Sequence, residues 1–521
     1  MILLQASTFL LLASFLPPPP PSPQGFQVTP KITEYVVLET GDLWFGVPFT
    51  ALNTPSVARV GTGFDVALNA TITGGPGAFP SIFAFRNVTS GNPASPEFVF
   101  GDGDSVQFLG YFNDVPLDIS NTLAEPPPAI GTGGHVAQAV TLSANNVPPT
   151  PAILMKPQGP IGPPTLICFD GQEVVYGVPG DLLGEFAVPF SINGSGEVGF
   201  RSEITGGSAV LLADAQQPLQ QFEVVARTGE WALNNPNDLL DVLGDVTGGE
   251  HVVRFNSLGR SAFRSTTTGV LAEGIWLDDG QGRIAIANGQ TPAPGYLPAP
   301  FESFNSPAVT SSGAVAFRAC IDPGCLQDGV WYSSGGSLVL VARDNQFAPD
   351  ATGSTSSGER FDSFADPSLG LSGRCAFRAA LKGPGSPQGI WRWSPPSDLR
   401  RIVRSGDALR GTSLTFSTFE EELAVADSGE IAFVATMSDG KRGLFLTSQV
   451  GTIVKVAKVD EAFMVNGASK TISQIAFHPG SSAQGNGGFV QPLGPTAQVA
   501  AVAFTLTFTD LSQATILTTL E

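Results

Sequence analysis

The sequence predicts an all-β fold, a β-propeller of eight four-stranded blades, and three observations favour it. A short strand motif recurs eight times along the 521 residues, at intervals of 54–71 residues. Gly (61 residues) and Pro (43 residues) are abundant, and both interrupt helices. The segment 31–42 has the pattern of a strand that the last repeat lacks. Repeated antiparallel sheets that close into a ring describe a propeller.

The composition supports a folded core and limits the partners. Hydrophobic residues make up 42% of the chain, whereas only 14% of the residues are charged. The net charge of −20 at pH 7 repels phosphate groups, so nucleic acid is not expected as a partner and anionic membranes are disfavoured. With three His residues and no C-x-x-C pair, the sequence also indicates no histidine-rich or zinc-ribbon metal site.

The repeated motif is clearest in GRSAFRS (259–265), GAVAFRA (313–319), GRCAFRA (373–379) and GEIAFVA (429–435). Its central position is Phe in most copies and apolar in all but one. The residues at this position are Leu68, Gln138, Phe200, Phe263, Phe317, Phe377, Phe433 and Phe504. Gln138 marks the second copy as the most degenerate. Seven blades therefore remain an alternative, if that copy is not a full blade.

Each unit has the same internal order of strands. The motif strand is followed by a Gly-led aromatic strand, such as GVW (329–331), and then by a strand such as LVLVARD (338–344). A segment such as SFNSPAVTSSG (303–313) precedes the motif and supplies a first strand. Gly- and Ser-rich joints between the strands supply the positive φ angles that tight hairpins need. The order predicts four antiparallel strands per blade.

The two ends of the chain complement each other. The last unit ends after ATILTTL (514–520) and lacks a fourth strand. The segment 31–42 contains VVLETGD, which matches the fourth-strand pattern IVRSGDA (402–408). We therefore expect 31–521 to form a single propeller domain, in which the N-terminal strand completes the last blade and removes two open sheet edges.

The first residues have the pattern of an export signal. Residues 1–16 form an apolar run of the length of a signal-peptide core, and a Pro-rich linker (17–30) follows. The run is too short for a comfortable transmembrane helix. We expect an extracellular, cell-surface or periplasmic protein, with no membrane insertion after signal removal.

The longer pattern around the motif resembles the TolB-like propeller repeats. It is most similar to bacterial secreted tandem-repeat proteins of uncharacterised function. The segments that carry the resemblance are SPAVTSSGAVAFRA (306–319), DPSLGLSGRCAFRA (366–379) and ELAVADSGEIAFVA (422–435). Similarity is strong over about 185–460. The resemblance implies a propeller and export, and it transfers no catalytic residue.

Several Arg and Trp residues recur at fixed positions of the repeat. Arg201, Arg264, Arg318 and Arg378 follow the central Phe, and Trp276, Trp331 and Trp391 follow the leading Gly. A residue repeated in a buried strand is usually structural, so we expect the Arg residues to pair within or between blades and the Trp residues to pack in the core. The alternatives are a ligand-binding ring of Arg and a sugar-stacking platform of Trp. Outside the repeat, Trp44, Trp231 and Trp393 are better surface candidates.

Acidic turns and cysteines provide the remaining candidate sites. Asp102 and Asp104 (FGDGDS) are calcium candidates, as are Asp278 and Asp279 (LDDGQG), although plain turns explain both segments and neither has the full EF-hand pattern. Cys320 and Cys325 are a disulfide candidate, because a hairpin between them brings the two side chains close. Cys168 and Cys375 have the pattern of core residues. No other cofactor is indicated, and no G-x-S-x-G, H-E-x-x-H or P-loop motif is present.

The turns after the second and fourth strands of a blade share one face, and the long segments 105–133, 231–250 and 462–498 fall there. Long loops on a rigid scaffold are common binding sites. We therefore expect a non-enzymatic binding or scaffold module whose partner is a protein or a polysaccharide. The alternative is a secreted carbohydrate-active or other hydrolase or lyase with its site at the propeller mouth.

Overall fold

A computed structural model describes most of residues 32–520. The residues outside the description are 1–31, 45–46, 54, 61–62, 75–76, 89–95, 102–104, 107–114, 119–127, 132, 145–146, 158–163, 175–179, 215–221, 233–236, 244–253, 256–259, 311, 371, 427–428, 449–450, 479–488, 491–499 and 521. The predicted signal peptide (1–16), the Pro-rich linker (17–30) and the calcium candidates Asp102 and Asp104 therefore lie outside the described residues, as does most of 105–133.

The described residues form eight sheets, one for each predicted repeat. The chain begins with β1 (Ile32–Glu39). Blade 1 contains β2 (Leu43–Trp44), β3 (Val47–Leu52), β4 (Ser56–Val60), β5 (Gly63–Gly74), β6 (Gly77–Val88) and β7 (Pro96–Gly101). Blade 2 contains β8 (Ser105–Val106), β9 (Val115–Asp118), β10 (Ala129–Ile130), β11 (Val136–Ala144), β12 (Val147–Lys156) and β13 (Thr165–Phe169). Blade 3 contains β14 (Leu183–Ile192), β15 (Glu197–Ile204), β16 (Gly207–Asp214) and β17 (Phe222–Arg227).

The remaining blades follow the same plan. Blade 4 contains β18 (Leu240–Leu243), β19 (Arg254–Phe255), β20 (Ser261–Thr267), β21 (Glu273–Asp278) and β22 (Arg283–Asn288). Blade 5 contains β23 (Ser303–Phe304), β24 (Ala308–Val309), β25 (Val315–Cys320), β26 (Asp328–Ser334) and β27 (Ser337–Arg343). Blade 6 contains β28 (Phe361–Phe364), β29 (Ser368–Leu369), β30 (Cys375–Leu381), β31 (Gln388–Ser394) and β32 (Asp398–Arg404). Blade 7 contains β33 (Phe416–Val425), β34 (Ile431–Met437), β35 (Arg442–Thr447) and β36 (Ile453–Lys458).

Blade 8 joins the two ends of the chain. It contains β37 (Ala462–Val465), β38 (Ala468–Ala476), β39 (Phe489–Val490), β40 (Ala500–Phe508) and β41 (Gln513–Leu520). Strand β1 pairs antiparallel with β41, from Ile32 opposite Leu520 to Glu39 opposite Ala514. The predicted eight blades and their closure by the N-terminal strand are confirmed, and the seven-blade alternative is wrong, because the second repeat with Gln138 forms a complete blade.

The blades surround an axis lined by the first strand of each sheet. The innermost segments contact one another in sequence, from β39 through β4, β10, β14, β19, β24 and β29 to β33. Their side chains are small or apolar and buried, as Ser56, Ala129, Ala308 and Ala424 show. A Cβ atom on Gly370 would lie 2.8 Å from the carbonyl oxygen of Ala426 in the next blade. The described inner strands therefore pack directly against each other.

The central residue of the repeated motif is buried in all eight blades, Gln138 included. The aromatic residue of the third strand packs beside it, as in the stacked pair Phe317 and Trp331, whose ring centroids lie 6.3 Å apart. A Phe that precedes the first strand completes the group, since Phe301 meets Trp331 edge-on at 4.9 Å. The second residue of the third strand is Gly in blades 4 to 7, where the large side chain two residues later lies back over it.

A β-bulge recurs at the same point of every blade. Pairing between the third and fourth strands shifts by one residue, which twists the outer strand. The residue skipped on the outer strand is β-branched in all eight blades, namely Val37, Val99, Ile167, Val225, Ile286, Val341, Ile402 and Val456. Because β1 has this shift too, it is a true fourth strand of blade 8.

Deletion of residues 1–39 is expected to destabilise the whole ring. The deletion removes the buried Val37 and Leu38 and leaves β41 as an open edge, so we expect a loss of at least about 3 kcal/mol and concentration-dependent aggregation. Thermal unfolding and light scattering measure both effects. Deletion of residues 1–30, which precede the strand, is the control. Equal melting temperatures for the two deletions would contradict the closure.

Gly389→Ala is expected to destabilise blade 6 by about 1–3 kcal/mol, because the added Cβ would lie 2.7 Å from the Val403 carbonyl oxygen and 2.8 Å from the Trp391 ring. The control is Gly324→Ala, since its nearest neighbour would be at 3.6 Å. Denaturant unfolding of both variants measures the difference. A Gly389→Ala protein as stable as the control would show that the Trp391 ring moves aside without cost.

Candidate functional site

The connection from each fourth strand to the next blade forms a short hairpin, which we call an arm. The pairs that define the eight arms are Leu43 with Pro48, Ser105 with Pro116, Glu173 with Leu182, Trp231 with Leu239, Pro292 with Pro300, Phe347 with Arg360, Ala408 with Thr415 and Ala462 with Thr471. All arms follow fourth strands, so they lie on the same face of the ring.

A recurring turn leads from the fourth strand into the arm. In several arms its middle residue has positive φ, as at Gly406, Asn345 and Asp460. The next side chain caps the strand: Asp407 Oδ2 accepts a hydrogen bond from the backbone N–H of Arg404 at 2.9 Å, and Gln346 Oε1 accepts one from Arg343 at 3.1 Å. In these turns, acidic and amide side chains serve as backbone acceptors.

The arms rest on the neighbouring blade through the repeated Trp residues. Trp331 Nε1 donates to the carbonyl oxygen of Pro294 in the preceding arm at 3.1 Å, and Trp391 Nε1 donates to that of Pro349 at 3.0 Å. Trp276 is the equivalent residue of blade 4. Its Nε1 is buried and has no hydrogen-bond partner among the described residues. All three Trp side chains are fully buried and form part of the core.

The structure places the repeated Arg residues in ion pairs at the blade junctions. Arg318 pairs with Asp328 at 3.1 Å and Arg264 with Glu273, each in its own blade. Arg201 pairs with Glu203 at 2.7 Å, whereas Arg378 reaches Glu421 of the next blade. The carboxylates of Glu273 and Asp328 also accept hydrogen bonds from the backbone of the next blade.

One such carboxylate link connects Glu273 to blade 5, because Glu273 Oε1 accepts a hydrogen bond from the backbone N–H of Phe304 at 2.8 Å. Asp328 and Gln388 occupy the same position in the next two blades and accept from Phe364 and Phe419. These polar side chains therefore hold neighbouring blades together.

The candidate Cys residues and Trp393 belong to the disulfide or to the core. Cys320 and Cys325 form a disulfide with a Cα–Cα distance of 5.0 Å, and Cys168 and Cys375 are buried free thiols. Trp393, expected at the surface, is buried against Tyr332, so that expectation was wrong. In the part of the chain that the structure describes, no group of three or more His, Cys, Asp or Glu residues is arranged to hold a metal ion. No described helix is long and apolar enough to cross a membrane.

The segments expected to be long loops are only partly loops. Residues 240–243 of the segment 231–250 form the first strand of blade 4. Residues 462–465 and 468–476 of the segment 462–498 form a hairpin that continues into blade 8. The strand at 240–243 was missed because it has only four residues and follows a turn-rich stretch.

Six arms expose a large apolar side chain. The residues are Leu43, Leu182, Trp231, Leu297, Phe347 and Met464, with exposed fractions between 42% and 70%. Arg360 covers one of them, since its guanidinium carbon lies 3.8 Å from the centre of the Phe347 ring. The face that carries the arms therefore presents separated apolar side chains around its rim.

A groove of about 450 Å³ lies between one arm and the next blade. Trp231 and Ala232 of the arm form one side, and Asp279 together with 281–284 of blade 4 forms the other. Arg283 joins the sides: its Nη2 donates to the Trp231 carbonyl oxygen at 2.6 Å and its Nη1 pairs with Glu230 at 3.0 Å. The groove thus combines an exposed aromatic ring with polar side chains.

Carboxylates surround this groove. The pKa of Glu223 in β17 is raised by burial and by the negative charges of Asp278 and Glu197. Asp278 directly precedes Asp279, which lines the groove. The local potential is therefore negative, although Arg283 carries a compensated positive charge.

Two other described carboxyl groups have a raised pKa. Burial raises the pKa of Glu34 in blade 8, and burial raises that of Asp328 in blade 5, against the effect of Arg318. With Glu223, the three groups belong to three different blades.

Comparison with solved structures finds matches of low sequence identity. A puromycin-hydrolyzing peptidase from Mycobacterium tuberculosis has 12% identity and a TM-score of 0.36, with 88% of this chain and 58% of the peptidase covered, so the chain spans little more than half of its length. The propeller domain of the trilobed protease from Pyrococcus furiosus has 10% identity and a TM-score of 0.34, with 76% and 93% covered. A PL25 ulvan lyase has 10% identity and a TM-score of 0.32, with 90% and 93% covered.

Comparison with curated proteins gives no significant match. The profile of a family of unknown function, DUF7453, matches residues 99–517, which include most of the ring. The chain therefore belongs to the DUF7453 family.

Proposed function

We propose that this protein is a non-enzymatic binding module at the cell surface or outside the cell, and that it binds a polysaccharide through the face that carries the arms. The observation that carries the proposal is the set of six exposed apolar side chains, two of them aromatic, on equivalent hairpins of one face. Aromatic side chains on rigid elements supply large contact areas at low entropic cost.

The axis of the ring supports binding rather than catalysis. The inner strands carry small buried residues such as Ser56, Ala308 and Ala424, and the blades touch where Gly370 faces Ala426. A catalytic site at the mouth would need titratable groups that converge there. The arms instead offer a broad surface, which suits a polymer that contacts several blades at once.

Glu223→Gln tests whether the ionised carboxylate of Glu223, near the arm that follows blade 3, lowers the stability of the protein. A carboxyl group whose pKa is raised by folding costs stability once it is ionised, and this cost grows as the pH rises from its unfolded pKa through its folded pKa. We expect the variant to be more stable than wild type at pH 7, by less than about 1 kcal/mol because the side chain is mostly exposed, and to match it near pH 3. Urea unfolding measures the free energy of unfolding of the variant and of wild type, and the exposed Glu185→Gln is the control. A Glu223→Gln variant that is less stable than wild type at pH 7 would disprove the repulsion of Glu223 by Asp278 and Glu197.

A combined arm variant tests the proposed function. Leu182→Ser, Leu297→Ser, Phe347→Ser and Met464→Ser together remove apolar surface from four arms and leave the core intact. In native gels that contain a soluble β-glucan, mannan or xylan, we expect the wild type to be retarded by one of them and this variant to bind at least about tenfold more weakly.

The control is Leu326→Ser with Leu511→Ser, two exposed residues outside the arms. Equal retardation of wild type and arm variant would show that another surface binds. Release of reducing ends or of unsaturated sugars would favour the hydrolase or lyase alternative. No retardation by any polysaccharide would overturn the polysaccharide assignment and leave a protein as the partner to test.

A further inference from the structure

The groove beside Trp231 differs from the other arm junctions in ways that point to a ligand. Trp231 is 55% exposed, although its backbone is fixed on both sides. Its carbonyl oxygen accepts the hydrogen bond from Arg283, and the N–H of Ala232 donates to the carbonyl oxygen of Asp238 at 2.7 Å. The backbone that carries the indole ring is therefore held in place, and about half of the side chain stays open to solvent.

One buried donor of the groove has no partner among the described residues. Arg283 lines the groove, and its Nε–H has no described partner although both Nη atoms are engaged. An unsatisfied buried donor costs about 1–3 kcal/mol, which an oxygen atom of a ligand would recover.

The blade 4 side of the groove supplies more acidic and amide side chains than the corresponding turns of blades 5 and 6. Its turn reads DDGQGR (278–283), whereas the corresponding turns of blades 5 and 6 are SSGGS (333–337) and SPPSD (394–398). Asp279 Oδ1 accepts from the backbone N–H of Gln281 at 2.9 Å, which fixes the carboxylate and leaves Oδ2 without a partner in the described residues. The exposed side chain of Gln281 adds an amide.

The charge around the groove selects against anionic ligands. Glu230 neutralises Arg283 at 3.0 Å, and Asp278, Asp279 and Glu223 add negative charge nearby. The net charge of the chain is −20. A polyanion would be repelled at this junction, whereas an uncharged sugar would meet an aromatic surface, acceptors for its hydroxyl groups and a donor for a ring or hydroxyl oxygen.

We propose that this groove is a subsite for one uncharged pyranose residue of a neutral polysaccharide. Trp231 stacks against the apolar face of the sugar, Asp279 and Gln281 bond its hydroxyl groups, and Arg283 Nε donates to one of its oxygens. The volume of about 450 Å³ lies in the range of small-ligand sites. The proposal rests on the proposed function, since one of the arms forms one side of the groove.

Trp231→Ala tests the subsite in the full-length protein. With the neutral polysaccharide that retards the wild type, we expect at least about tenfold weaker binding, because Trp at the centre of a contact is worth more than about 1.4 kcal/mol. Trp231→Phe is expected to retain part of the affinity. Arg283→Lys keeps the charge opposite Glu230 but removes Nε–H, and we expect about fivefold weaker binding.

Fluorescence gives a second readout. Trp276, Trp331, Trp391 and Trp393 are buried, so Trp231 is the Trp that acrylamide reaches most readily among the five whose exposure the structure describes. Saturating polysaccharide is expected to protect the wild type from acrylamide quenching and to leave the quenching of Trp231→Phe unchanged. Melting temperatures of all variants within about 2 °C of wild type exclude an effect through folding.

The outcomes separate this inference from the proposed function. If Trp231→Ala binds like wild type while the combined arm variant does not, the subsite is wrong and the arm-bearing face stands. If neither variant loses affinity, both are wrong. Stronger retardation by alginate or polygalacturonate than by the neutral polymers would overturn the uncharged ligand, as would binding that weakens steeply between 50 and 500 mM salt.

Discussion

The pairing of β1 with β41 is the contact on which the rest of the structure depends. Each blade packs between two neighbours, so a ring of blades is stable only when every blade has its outer strand. Blade 8 receives that strand from the start of the described chain, with the register shift at Val37 that the other seven blades share. Because β1 occupies an equivalent position, the arm that follows it from Leu43 also has an equivalent position on blade 1. The closure therefore sets the geometry of the whole arm-bearing face.

The bulge in each outer strand explains why the arms lie where they do. An extra residue increases the local twist, and a β-branched side chain fits a buried, strongly twisted position. The turn with positive φ then directs the chain over the next blade, where Trp331 and Trp391 bond the arm backbone. Each arm is thus held at its base by a capped turn and over its neighbour by an indole. A binding surface built on such arms is positioned by the core, which limits the entropy lost on binding.

The spacing of the repeated motif predicted eight blades, because its central side chain fills the same core position in every repeat, and only the Gln at position 138 left seven blades as an alternative. The match between VVLETGD and the other fourth strands predicted the closure for the same reason. Local features were harder to predict. The strand at 240–243 was taken as loop, since four residues carry little periodicity. Trp393 was expected at the surface, because the alternation of its strand does not show that Tyr332 of the neighbouring blade covers it. The groove was missed as a unit, since Trp231 and Arg283 are far apart in sequence and meet only when an arm crosses a blade junction.

A repeat fold limits where a specific site can arise. Equivalent positions in eight blades carry similar residues, so the repeated Arg and Trp residues are used for blade-to-blade contacts and not for a single ligand. A site with its own specificity must lie where one repeat departs from the others. The junction of blades 3 and 4 is such a place, because the turn of blade 4 carries two Asp residues, a Gln and an Arg. Trp231 is exposed beside this turn, and Arg283 joins the two sides of the groove. This local combination of an aromatic ring with polar side chains is the physical reason to assign a binding role to that junction rather than to the axis.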